Sequence, residues 1–345
     1  MREPAFLRQN KDKWLEYEQS LSQRGWSQMD PDHLAYLYVQ LTDDLAYART
    51  FYPRSKVVKY LNGLAARTHL AIYKNKKQSQ NRLFAFWQYE LPLIMRRCHR
   101  HLLYAFLFFS LFMVLGIFNA LNDQEFLGVI LGEGYVNMTI NNIESGDPMG
   151  VYKGEAPLPM FLRIAYNNIQ VAFKAFVFGF LLSAGTVWVL FRNGVMVGAF
   201  MTLFHIHNRL GEALPVIYIH GTLELSAIVI AGAAGLRLGH SIIFPSTLSR
   251  KKSVQEAAKD GIKIMMGLIP VFIAAAFLEG FVTRLTEWPL IAKLLIIGVS
   301  LWFILWYYVF YPIILEKKLA NTAPAELENI QKGIRSRPLY KSSIT

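Results

Sequence analysis

His220 and Glu224 stand four residues apart in a long apolar run, so their side chains share one face of a helix. An unpaired carboxylate in mid-membrane costs roughly 2.5–3.5 kcal/mol on insertion scales, so such a group needs a partner or a function. The chain offers several partners. Glu279 interrupts a later apolar run, Asn167, Asn168 and Lys174 begin an earlier one, and His205 and His207 lie between. Three chemistries fit this set. One is a buried hydrogen-bonded cluster that fixes helix packing. Another is a proton or ion relay through His220, Glu224 and Glu279. The third is a metal site of His220 and Glu224 with His205, His207 or Glu279, since zinc accepts imidazole and carboxylate ligands. His-Glu-x-x-His is absent, as are Gly-x-Ser-x-Gly and a P-loop, so zincin, serine hydrolase and ATPase chemistry have no support. The single Cys98 excludes an intrachain disulfide and any multi-cysteine metal site. No cofactor is required, and a metal at the His/Glu cluster is the one candidate.

The elements that position these residues are membrane spans. Of 345 residues, 53% are hydrophobic and only 17% charged, against about 25% charged in a soluble domain. The deficit lies after the first hundred residues. A crossing helix needs about 20 mostly apolar residues. Leu102–Phe118, Ile169–Phe191, Ala213–Leu236, Ile264–Val282 and Leu294–Leu315 meet that need, and the short run near 194–209 is read as a sixth crossing. Its alternative is a re-entrant hairpin. The stripe Ala227, Ala231, Gly235 continues the His220–Glu224 face, and Gly194-x-x-x-Gly198 and Gly235-x-x-x-Gly239 are close-packing motifs. The same motifs make a homodimer the expected assembly.

Charge orients the spans. Residues 1–101 hold 17 Lys/Arg against 9 Asp/Glu, and 237–263 and 316–345 are also basic, whereas 120–167 holds two basic residues against six acidic. The positive-inside rule puts both termini in the cytoplasm and 120–167 outside. The formal net charge of +12 therefore reads as a cytoplasmic membrane face rather than a nucleic-acid surface, and no nucleic-acid fingerprint is present. The expected organisation is a basic helical domain over 1–100, a transmembrane domain over 101–315 and a tail over 316–345. In the first, Leu34, Leu37, Tyr38, Leu41 and Leu45 form one helical stripe after Asp30-Pro31, and Pro53 stops it. Leu83–Met95 is aromatic, amphipathic and followed by Arg96-Arg97-Cys98-His99-Arg100, which suits the inner headgroup layer. Within 120–167, Tyr135–Ile143 suggests a short helix at the outer mouth.

The run Pro215–Gly235, with its His220-Gly221-x-x-Glu224-Leu225 core and glycine-rich continuation, resembles the signature of the stage II sporulation protein M family. Asn167-Asn168, Gly179, Gly185-Thr186, Asn193-Gly194-x-x-x-Gly198 and Ala275-Ala276-x-x-Glu279-Gly280-Phe281 also fit. The N-terminal Asp43-Asp44-Leu-Ala-Tyr-Ala-Arg49 resembles the long-N-terminus members of Bacteroidota-type bacteria. The resemblance carries over His220 and Glu224 and adds Gly179, Gly185 and Gly221 to the packing positions, but supplies no reaction. It implies an integral component of the bacterial plasma membrane that anchors or regulates envelope partners. The leading expectation is a non-enzymatic scaffold. A transporter or channel-like subunit is the alternative, and an intramembrane metalloenzyme the third.

Overall fold

Apolar residues recur at helical spacing along nearly the whole chain, and helices follow. The computed structural model describes residues 2–22, 31–74, 82–123 and 125–322, and among them no strand occurs. Asp30, which precedes the expected stripe, and the tail from 323 lie outside the described residues. The chain divides at Gln80–Asn81 into two units. Leu83–Met95 therefore belongs with the long helices rather than with the N-terminal unit.

The first unit holds α1 (Glu3–Ser22), α2 (Pro31–Phe51) and α3 (Lys56–Lys74). Leu41 and Leu45 of the expected stripe are buried, with Leu37 and Tyr38 packed at the edge of the core. They meet Phe6, Trp14 and Tyr17 of α1 and Val57, Leu61 and Leu64 of α3. Polar groups on these helices find partners. Trp14 Nε1 donates to Asp44 Oδ2 at 2.8 Å, and Tyr60 and Arg67 both donate to the Glu18 carboxylate.

The second unit is an all-α membrane bundle. Its helices are α4 (Leu83–Asn122), α5 (Glu125–Leu131), α6 (Glu133–Glu144), α7 (Pro157–Val177), α8 (Ala184–Ile206), α9 (Leu210–Ile243), α10 (Arg250–Val282) and α11 (Leu290–Ala320). By length and composition, α4, α8, α9, α10 and α11 can cross a membrane. The more amphipathic α7 is the sixth long helix. Helix α9 is central and packs on α4, α7, α8, α10 and α11.

One expected span is corrected. Ile169–Phe191 is not a single crossing: helix α7 ends at Val177 and α8 begins at Ala184. Between them Leu182 and Ser183 take left-handed φ values of 52° and 72°. The run Gly194–Phe204 is then the second half of α8, not a separate short piece. Hydropathy misses this turn because its residues are apolar. Phe178, Phe180, Leu181 and Leu182 are all exposed on the bundle surface. Two hydroxyls hold the turn: Thr186 Oγ1 donates to Ala175 O at 2.8 Å, and Ser183 Oγ to Leu236 O at 3.2 Å.

The glycines explain the packing. A Cβ on Gly179 would overlap the Gly235 backbone, one on Gly235 the Ala175 carbonyl, and one on Gly239 the Ser183 turn. On the other side, Gly194 and Gly198 lie against Phe109 and Met113 of α4, and Gly185 lies against Phe178. Backbones thus touch where side chains would hold them apart. Ala231 is fully buried in the same seam. Gly221 is the exception among the expected packing positions. Its Cβ would meet only Ile217 Cγ2 of its own helix, at 3.9 Å.

Both Gly-x-x-x-Gly faces are therefore filled within one chain, and pairing of two copies would use other surfaces. The first turns of α4 pack inward through Leu91, Ile94 and Met95, while Leu83 and Phe84 are exposed. Tyr307 OH donates to Trp87 O at 2.6 Å, which ties this segment to α11. Around the end of α4, Ala120 packs with Leu127 of α5 and with Ala199 and Leu203 of α8.

Candidate functional site

His220, Glu224 and Glu279 converge. Each offers a donor atom, and the three atoms lie within 4.8 Å of one another. His220 and Glu224 are one turn apart on α9, about 15 Å and 21 Å below its first residue. Glu279 comes from the end of α10, which runs antiparallel to α9. It lies in a π-helical turn, Leu278–Val282, a local widening often found at functional positions. His220 Nε2 is 3.8 Å from Glu279 Oε2, and His220 Nδ1 is 3.0 Å from Thr283 Oγ1. Thr283 Oγ1 also donates to Leu278 O at 3.1 Å.

A second ring of groups surrounds these. The Tyr152 ring meets the His220 imidazole edge-on, 5.6 Å between centroids. Asn168 is buried and faces Glu224, and Asn167 Nδ2 donates to its side chain at 3.4 Å. Tyr152 is in the short turn Gly150–Lys153 and Tyr135 in α6, both outside the long helices. Burial, and then the charge of Glu279, pushes the Tyr135 phenol up to about 12 and the Tyr152 phenol well above its ordinary value. Both hydroxyls stay protonated at neutral pH.

Not every expected member is present. Lys174 is exposed. It lies six residues beyond Asn168, about 240° round the helix and so on another side. Asn167 is exposed too and reaches the cluster only through Asn168. His205 is exposed at the end of α8, and His207 Nδ1 is engaged with Leu203 O at 2.8 Å. Neither joins the three-residue group, because α8 ends some way above the level of His220. Two neighbours were missed in the sequence. Thr283 follows Glu279 by four residues, a helical spacing that could have revealed it. Tyr152 comes from a connecting segment and left no periodic signal.

The sequence profile of the Stage II sporulation protein M family matches residues 105–284, just over half of the chain and all of the residues around His220. The chain belongs to that family. A second profile, described only as a domain of unknown function, matches residues 4–74, the stretch of α1 to α3. An uncharacterized protein of Methanocaldococcus jannaschii is 26% identical over 125 residues, which cover 36% of this chain and 70% of that protein. No solved structure matches. In this Stage II sporulation protein M family member the polar cluster thus lies wholly within the family region, and the N-terminal unit lies outside it.

Proposed function

We propose that this protein is a non-enzymatic scaffold of the bacterial plasma membrane, with both termini in the cytoplasm. One observation carries the reading: the backbone-to-backbone seam at Gly179, Gly235 and Gly239. It leaves α7, α8 and α9 little freedom to rock. A rigid bundle joined to a separate helical unit suits a part that holds envelope membrane proteins in place. The acidic 120–167 segment faces outward, and the bilayer is its other partner. Copies of the chain pair through surfaces other than the glycine faces.

A second reading is favoured by the convergence of His220, Glu224 and Glu279, namely a subunit that moves protons or ions. Two measurements separate the readings. Purified full-length protein in sealed vesicles should pass no current and dissipate no pH or cation gradient. Gentle isolation from native membranes should bring a stoichiometric membrane partner that is lost when residues 1–80 are deleted. Gradient-driven flux that disappears in Glu224→Gln would overturn the scaffold and establish transport.

A further inference from the structure

We infer that His220, Glu224 and Glu279 are the three protein ligands of a divalent transition-metal site, zinc-like in its preference, with a remaining position open to water or another ligand. The inference is independent of the scaffold reading. It rests first on the imidazole tautomer. The Thr283 hydroxyl has one proton, and Leu278 O receives it. Thr283 Oγ1 therefore accepts from His220 Nδ1–H. The lone pair is left on Nε2, which faces Glu279 Oε2. Two acceptors pointing at each other across 3.8 Å need a positive charge between them, either a proton on the carboxyl or a metal ion. An outer partner that fixes the far N–H of an imidazole is what metal-bound histidines usually have.

The second support is distance. Ligand atoms about 2.0–2.1 Å from a tetrahedral zinc stand roughly 3.4 Å apart. The observed 3.8 Å needs side-chain adjustments of only a few tenths of an ångström. Glu224, one turn from His220, brings the third donor within 4.8 Å of the others. Gly221 flanks the His220–Glu224 face, about 60° beyond Glu224 round the helix, and no neighbouring helix approaches where its Cβ would stand.

Charge is the third. With a neutral imidazole, two carboxylates place two negative charges inside the bundle, where unpaired charge is costly. A divalent ion cancels them. The cation nearest in effect, Arg163, is exposed and held by Glu155 at 2.7 Å. Calcium and magnesium favour all-oxygen shells of six or more, so a site with an imidazole nitrogen and three protein donors selects against them.

The test uses untagged full-length protein in detergent, stripped with a chelator, loaded with Co2+ and desalted. We expect close to one Co2+ per chain, with the visible absorption of a low-coordinate site, displaced by Zn2+. Glu279→Gln and His220→Gln should each lower affinity at least tenfold, while His205→Gln should leave it unchanged. Thr283→Val keeps all three ligands but removes the imidazole's outer partner, and should weaken binding about 10–100-fold. This variant decides the matter if the ligand variants do not fold. Folded wild-type protein that retains no metal, or variants that retain as much as wild type, would overturn the inference. In the first case, shared protons are what neutralise the carboxylates.

Discussion

Arg237 donates to Asp260 Oδ2 at 2.6 Å, and its other amino group to Cys98 Sγ at 3.1 Å. Arg97 reaches the same aspartate from α4. One carboxylate thus ties α4, α9 and α10 together. Asp260→Asn should lower bundle stability by about 3–5 kcal/mol, because it strands a largely buried guanidinium. Thermal unfolding in detergent measures this, and a loss under 1 kcal/mol would show that Arg97 and water suffice. In the N-terminal unit, Arg67 and then Tyr60 hold the Glu18 carboxyl below its ordinary range. A lowered native value gives stability that is present above the unfolded value and is lost as pH falls through the native one. Hydrogen exchange of the 3–74 region in the full chain should therefore accelerate on acidification, and less so in Glu18→Gln. His220, Glu224 and Glu279 were legible because charge inside an apolar run is conspicuous. Lys174 was as conspicuous and misled, since a long cationic side chain can snorkel outward from such a run. Tyr152 was illegible, because only tertiary contact brings a connecting turn to His220.

The glycine seam makes predictions about whole elements. Gly235→Ala would push a methyl group into the Ala175 carbonyl and the Thr186 hydroxyl. It should destabilise the bundle by about 1–3 kcal/mol, the usual effect of overpacking. Gly298→Ala on α11 has open space around it and should be neutral, or stabilising by up to about 1 kcal/mol through helix propensity. Melting both variants side by side is the check, and equal melting temperatures would show that the seam is looser than it looks. The seam also explains what was legible among the elements. Helices α4, α9, α10 and α11 were readable as spans because burial and lipid contact both demand apolar residues. The division of 169–206 into α7 and α8 was not, since hydropathy records composition and not the sign of φ. The small residues Gly179, Ser183, Ala184 and Gly185 were the available hint. Gly179 and Gly185 were read as packing positions because glycine serves close approach and turning equally well, and Ser183 and Ala184 were not singled out.

At the scale of the molecule, the turn at Leu181–Ser183 moves a helix boundary, and the parity of crossings is kept when the amphipathic α7 crosses as well as α8. In the proposed orientation α7, α8 and α9 each cross, which puts the Lys153 segment and the 250–252 segment on opposite sides. Single cysteines at Lys153 and at Lys252, in a Cys98→Ala background, should react oppositely with an impermeant thiol reagent applied outside cells. Position 153 should label and position 252 should not, and labelling of both would end the proposed orientation. The same turn also bears on how the protein is made. Its seat is built by Leu236 and Gly239, which are synthesised after the hairpin that needs them. At about 5–20 residues per second, the ribosome reaches Gly239 roughly 2–7 s after it completes α8. For that interval the hairpin waits in the membrane with no seat for its turn, and a link of only three residues, 207–209, keeps the missing helix next in line. A nascent chain arrested between Arg209 and Gly239 should be an orphan for membrane quality control, whereas one arrested beyond Ile243 should already be protected.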